Sequence, residues 1–163
     1  MAEQRDPENH LVLELPKGKV VIRLRPDLAP KHVEQIKALA REGFYDDTPF
    51  HRVMDGFMAQ GGDPTGTGTG GSKKPNIAAE FSKAAFERGT VGMARSQNPN
   101  SANSQFFICF APARFLDGQY TVWGKVTSGM EFVDKIKKGA PGSGAVSAPA
   151  DKMIKVQVAA DAK

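Results

Sequence analysis

Phe50-His51-Arg52-Val53-Met54-Asp55-Gly56-Phe57-Met58-Ala59-Gln60-Gly61-Gly62-Asp63 reads as two short strands around a turn. It sets a guanidinium, two aromatic rings, a thioether and an amide within eleven residues. Arg is mostly exposed unless it is paired or bound, so Arg52 beside an apolar wall is unusual. A second strand, Gln105-Phe106-Phe107-Ile108-Cys109-Phe110, has a similar make-up. Strand alternation puts Gln105, Phe107 and Cys109 on one face and Phe106, Ile108 and Phe110 on the other. Both faces are largely apolar, so one meets the interior and the other needs a helix or a ligand to cover it. Arg52 and Gln60 make poor core residues. The pattern favours a polar-edged apolar cleft over an extended core.

Working outward, His10–Leu15 and 19–24 flank Pro16-Lys17-Gly18 as a β-hairpin. Pro30 opens a helix with Val33, Ile36, Leu39 and Ala40 on one face, stopped by Gly43. Short strands follow at about 50–54, 57–62, 90–94, 105–110 and 121–126. Ser128-Gly129-Met130-Glu131 has the form of a capping box, and Met130, Val133 and Ile136 predict a second helix ended by Gly139. Residues 140–150 read as loop, and 153–158 alternate as a final strand. Many short strands and two helices predict a mainly β fold, an antiparallel barrel. The expected organisation is a flexible terminus over 1–9, one domain over 10–159 and a tail over 160–163.

Length and composition agree with one soluble domain: 163 residues, 40% hydrophobic and 25% charged. No apolar run is long enough to span a bilayer, and the polar start shows no secretory h-region. The one cysteine, Cys109, reads as a buried small hydrophobe, which favours a reducing cytoplasm. Net charge is +4, but the basic residues are scattered, so solvated surface is preferred to a nucleic-acid stripe.

Other motifs carry less. Gly66-Thr67-Gly68-Thr69-Gly70-Gly71 formally fits G-x-G-x-x-G, yet Asp63-Pro64 precedes it and Pro75 soon follows, so it reads as a surface loop and not a cofactor site. His10, His32 and His51 share no metal-ligand spacing, and His51 is expected to be a buried, hydrogen-bonded structural residue. Ser96, Ser101 and Ser104 sit among turn formers and read as turn donors. No metal or cofactor is expected.

Taken together, Phe50-His51-Arg52-Val53, Gly56 to Asp63, Gly92-Met93-Ala94, Ser104 to Ile108, Phe115-Leu116-Asp117-Gly118 and Trp123-Gly124-Lys125-Val126 resemble the cyclophilin-type peptidyl-prolyl cis-trans isomerases, in order and spacing from about residue 10 to 158. The resemblance implies an eight-stranded antiparallel β-barrel capped by two α-helices, with the site on its outer face. It carries the catalytic arginine onto Arg52, the proline pocket onto Phe57, Met58, Phe107 and Leu116, and the backbone-holding glutamine onto Gln60. Met54, Ala94, Arg95, Gln105 and Phe115 would line the neighbouring groove. Tyr120 stands where many eukaryotic members have His, as in bacterial-type members, and keeps an aromatic wall. Phe115 stands where many have Trp, which weakens the expectation of cyclosporin binding. Implied partners are proline-containing polypeptides, met by a cytoplasmic monomer that binds neither nucleic acid nor membranes.

The side chains suit that reaction. Rotation of a peptide bond faces ~18–20 kcal/mol because C–N has partial double-bond character. In the twisted state the prolyl nitrogen regains its lone pair, so a donor aimed there is worth more than in the ground state. Arg52 is always protonated and offers five donors. The same groove could serve a non-catalytic proline-binding module or chaperone; an intact Arg52 favours the enzyme. A nucleic-acid-binding barrel ranks third.

Overall fold

Leu11, Leu13 and Leu15 are buried and alternate with half-buried Val12 and Glu14 along the first strand, as the pattern predicts. The computed structural model describes residues 7–66, 70–141, 143–147 and 150–161. Along the chain run β1 (His10–Leu15), β2 (Gly18–Leu24), α1 (Pro30–Arg41), β3 (Thr48–Pro49), β4 (Arg52–Met54) and β5 (Met58–Gly61). Then come β6 (Thr90–Met93), β7 (Phe106–Cys109), β8 (Val122–Ser128), α2 (Met130–Val133), β9 (Lys152–Met153) and β10 (Lys155–Val158).

Eight strands form one antiparallel sheet in the order β10-β1-β2-β8-β6-β7-β5-β4, curled around the core, with two helices as expected. β3 and β9 pair separately. They lie just before β4 and β10, the two edge strands, so the small pair sits across the seam of the curl. The main core includes Leu11, Ile22, Ile36, Phe50, Phe106, Ile108 and Trp123. A second cluster on the outer face of β5 and β7 holds Met58, Phe86, Phe107, Cys109, Leu116 and Val122. Both faces of β7 are thus buried, the first by the interior and the second by loops.

Helix α1 buries His32, Val33, Ile36, Leu39 and Ala40. Pro30 fills its first turn, where a missing N–H does no harm. The N-cap Ala29 offers no side chain, and the cap comes from far along the chain. The Glu80 carboxylate accepts from the backbone N–H groups of Lys31 (3.3 Å) and His32 (2.9 Å). Gly43, at φ +73°, ends the helix, with Phe44 N donating to Leu39 O and Gly43 N to Ala40 O.

Three expectations are corrected. The Ser128 capping box does not form: Gly129 caps α2 at φ +88°, and a Cβ there would lie 2.4 Å from Lys19 O, so backbone approach decides the turn. Helix α2 spans only Met130–Val133. The final strand splits at the exposed Ile154, because Met153 pairs with Thr48 and Val156 with Leu13. Before β1, Pro7–Asn9 form a 3-10 turn, and Glu8 pairs with Lys37 and Arg41.

The outer side of edge strand β4 is occupied by a loop. Val53 N donates to Gly144 O and Gly139 N to Val53 O, both at 2.8 Å, while Val146 N donates to His51 O at 3.1 Å.

Candidate active site

Sheet register lines up the residues that the sequence scatters. Arg52 pairs across β4–β5 with Gln60, Gln60 across β5–β7 with Phe107, and Phe107 across β7–β6 with Gly92. Directly paired residues share a face, so these four form one row over four strands. In the adjoining row Met58 pairs with Cys109. At the Phe107 end, Arg114–Leu116 make a 3-10 turn that brings Leu116 to the same face.

These elements enclose a pocket of about 120 Å³ lined by Arg52, Phe57, Met58, Gln60, Ala94, Arg95, Phe107, Leu116 and Tyr120. Phe107 stacks on Phe86 behind it (centroids 5.7 Å apart, 20° between planes) and meets the Tyr120 ring edge-on at 5.8 Å. Gly92 makes the stack possible, since a Cβ there would lie 2.7 Å from Phe86 and 2.9 Å from Phe107. A second, more polar chamber of about 530 Å³ adjoins it and shares Gln60, Ala94 and Arg95.

Arg52 is exposed and held from behind by the loop that covers β4. Its Nε donates to Ser143 O (3.2 Å), and its Nη2 reaches Met54 Sδ (3.5 Å). No carboxylate pairs with it among the described residues, so the charge stays available. Gln60 Nε2 donates to Gln105 Oε1 (3.1 Å), whose own Nε2 donates to Gly70 O (2.9 Å). Asp63, wholly buried, accepts from Thr65 N, Thr65 Oγ1 and Gly70 N. That carboxylate shapes the far wall of the polar chamber. Among the described residues no three His, Cys, Asp or Glu are grouped to hold a metal.

The family model for cyclophilin type peptidyl-prolyl cis-trans isomerases matches residues 10–158. The chain belongs to the cyclophilin-type peptidyl-prolyl cis-trans isomerases. As a cyclophilin it is 59% identical to a probable peptidyl-prolyl cis-trans isomerase of Brucella suis, over 99% of this chain and 88% of that one. It is 44% identical to a peptidyl-prolyl cis-trans isomerase of Helicobacter pylori, over 76% and 77% of the two chains. A crystal structure of a Hirschia baltica cyclophilin superposes with a TM-score of 0.86 at 28% identity, covering 97% of this chain and 76% of that one. A Cryptosporidium parvum cyclophilin, determined in the presence of the dipeptide Ala-Pro, gives 0.82 at 28%, covering 91% and 98%.

In this cyclophilin the small pocket gathers Arg52, Gln60, Phe57, Met58, Phe107, Leu116 and Tyr120. Ala94 and Arg95 line both chambers, and Gln105 lines the polar one. Met54 and Phe115 line neither. Met54 supports Arg52, and Phe115 is 72% exposed, with its ring tilted against Phe57 at 5.5 Å. His51 departs from its expected hydrogen-bonded role. It is half-buried, and its Nδ1 has no hydrogen-bond partner among the described residues. Burial lowers its pKa and Arg52 adds to that, while Asp63 opposes. Of the Gly-rich loop, positions 67–69 lie outside the described residues, but Gly70, Gly71 and Ser72 form chamber wall. Those lining residues, with Asn76 and Asn103, were missed in the sequence. Ser101 acts as a turn donor, its Oγ donating to Asn98 O, but Ser104 departs from that expectation: it is buried, and its Oγ donates to Gly62 O, 42 residues away, tying two segments together. No helix among the described residues is long and apolar enough to cross a membrane.

Proposed function

We propose that Arg52 supplies the transition-state donor for rotation about X–Pro bonds of polypeptides, with Gln60 as backbone anchor and the small pocket as proline clamp. The observation that carries this reading is the register row. Arg52, Gln60 and Phe107 occupy neighbouring positions on one face, beside a pocket whose size suits a pyrrolidine ring. Phe57, Met58, Phe107 and Leu116 exclude water from the ring, which strengthens any hydrogen bond made next to it. The Nε bond to Ser143 O orients the guanidinium and leaves both N–H groups of Nη1 for the prolyl nitrogen and an adjacent carbonyl. Gln60, already tied to Gln105, holds the backbone preceding proline while the other side rotates. The rotation needs neither proton transfer nor a covalent intermediate.

The X–Pro equilibrium is nearly balanced, within ~0.5–1 kcal/mol, so a modest peptide reports both directions of exchange. Arg52→Ala is expected to keep the fold and lose roughly 10²–10³-fold in isomerisation, the scale of a removed oxyanion-type donor. NMR exchange of a short X–Pro peptide at substoichiometric protein measures it. Near-normal turnover in the variant would refute the assignment, and peptide binding without exchange in the wild type would favour a passive proline-binding module. Phe115 has no indole N–H to donate, which supports weak cyclosporin binding. A cytoplasmic location is supported by the single thiol, Cys109, buried and unpaired in β7.

A further inference from the structure

Among the described residues, only two charged side chains line the two-chambered cleft, Arg52 and Arg95, and both are cations. The rest of the polar chamber consists of neutral amides, hydroxyls, glycines and Ala94. Arg95 stands at the partition, half-buried and shared by both chambers. Four of its five N–H groups are spent on backbone carbonyls: Nε on Gln119 O (3.3 Å), one of Nη2 on Gln119 O (2.6 Å), and Nη1 on Ser96 O (2.9 Å) and Gln97 O (3.4 Å). Its carbon Cζ sits 4.6 Å from the centroid of the Tyr120 ring. This fork and stack fix the guanidinium in place. Carbonyls satisfy donors but bring no net charge, and no carboxylate pairs with Arg95 among the described residues. A fixed, uncompensated positive charge therefore faces the cleft.

We propose that Arg95 is a specificity-determining residue that selects polypeptides with an acidic side chain one or two positions before proline. The proposal rests on the roles given above to Arg52 and Gln60. If Gln60 holds the backbone preceding proline, the upstream chain leaves the small pocket past Gln60, Ala94 and Arg95 and enters the polar chamber, which these three residues also line. An extended chain advances ~3.3–3.6 Å per residue, so the first two upstream side chains pass this partition. A carboxylate there meets Arg95 from the open side, and a lysine meets a like charge. The neutral amides and hydroxyls around it accept either, so Arg95 decides between them.

The test uses acetyl-capped, amidated tetrapeptides Ala-Xaa-Pro-Phe, with Xaa as Glu, Gln or Lys, and a second set with these residues one position further upstream. Exchange rates by NMR at low ionic strength give kcat/KM, and shift titrations give Kd. In at least one set Glu should exceed Gln by roughly two- to fivefold, the range of a partly exposed ion pair, and Gln should exceed Lys. The gap should close near 0.5 M salt, where screening shortens to a few ångströms. It should vanish in Arg95→Gln and persist in Arg95→Lys, which keeps charge but not fork or stack. Equal Glu and Gln values in both sets for the wild type, or a gap that survives in Arg95→Gln, would overturn the proposal. Should Arg95→Gln not fold, the salt series and Arg95→Lys still decide. Absence of exchange with every peptide would strike the roles of Arg52 and Gln60 instead, and the Kd ratios would still read the charge selection.

Discussion

Gly92→Ala adds one methyl behind the small pocket, and its consequence can be worked from geometry. The new Cβ would meet Phe86 at 2.7 Å and Phe107 at 2.9 Å. Carbon atoms rest at ~3.5–4.0 Å, so the rings must retreat by roughly 0.6–1.3 Å. Gly92 does not have a positive φ, so alanine meets no backbone obstacle there and only the rings can give. Phe86 is fully buried, its N–H donates to Asp117 Oδ1 (2.8 Å), and its carbonyl accepts from Ala113 N (2.8 Å). Phe107 has open space on one side, the pocket of about 120 Å³. Phe86 can shift only against the ring stacked on it, so both contacts are relieved by Phe107 yielding into the pocket. Overpacking of this kind costs about 1–3 kcal/mol. If half falls on closing the pocket, KM for an X–Pro peptide rises about two- to tenfold, since each 1.4 kcal/mol is a factor of ten. The remainder lowers the melting temperature by a few degrees, at ~2–4 °C per kcal/mol for a domain of this size. Peptide titration and thermal melting read the two shares. Combining the change with Phe86→Leu gives space behind the ring, and binding should recover relative to the single variant. A melting temperature that falls while KM stays unchanged would show that Phe107 is not the ring that yields.

Two further outcomes follow from buried titratable groups. His32 lies wholly buried with its Nδ1 donating to Glu80 Oε1 at 2.6 Å, and burial holds its pKa below the usual value despite that carboxylate. The unfolded chain thus takes up the proton first as pH falls, so stability declines below about pH 6.5, with His51 acting in the same direction. Glu80, whose pKa is lowered because hydrogen bonds from His32 and Lys31 outweigh the cost of burial, contributes stability above the ordinary carboxylate value and loses it as pH falls from there toward its lowered pKa. In His32→Gln the fall in melting temperature between pH 7 and 5 should become shallower, and an unchanged slope would remove His32 from this account. Burial pushes the Cys109 thiol up to about 12, so at pH 8 only about one in ten thousand is thiolate. Alkylation by iodoacetamide should therefore track global unfolding, and rapid labelling of the native protein would contradict the packing of β7.

Period-two and period-3.6 patterns sufficed where one face of one element is buried. The β1–β2 hairpin and helix α1 were legible for that reason, down to the stop at Gly43. The small pocket was legible only through family resemblance, because the row Arg52–Gln60–Phe107–Gly92 depends on inter-strand register, which residue types alone do not state. Of the polar chamber only Gln60, Ala94, Arg95 and Gln105 were named, through that resemblance, and the rest of its wall escaped. Its walls come from Gln60 on β5 and two separated loop stretches, Gly70 to Asn76 and Ala94 to Gln105, which look like ordinary turns until Asp63, Gln105 and Asn103 tie them together. The Ser128–Glu131 box failed because Gly129 must let the backbone approach Lys19, a long-range demand that outweighs a local cap. Likewise the remote Glu80 caps α1, which no spacing around Pro30 could reveal.

The loop over β4 has a consequence for how clients leave. A protein that handles unfolded chains presents its surfaces to extended, hydrogen-bond-hungry backbone, and a bare sheet edge would zip such a chain on as an extra strand. Here the strand that carries Arg52 is that edge, and Gly139, Gly144 and Val146 already satisfy Val53 and His51. On the proposed reading a polypeptide engages through one proline ring and a few polar contacts, but cannot add itself to the sheet at β4. If Arg52 acts as proposed, turnover stays possible because its strand is closed to the one mode of capture that would not let go.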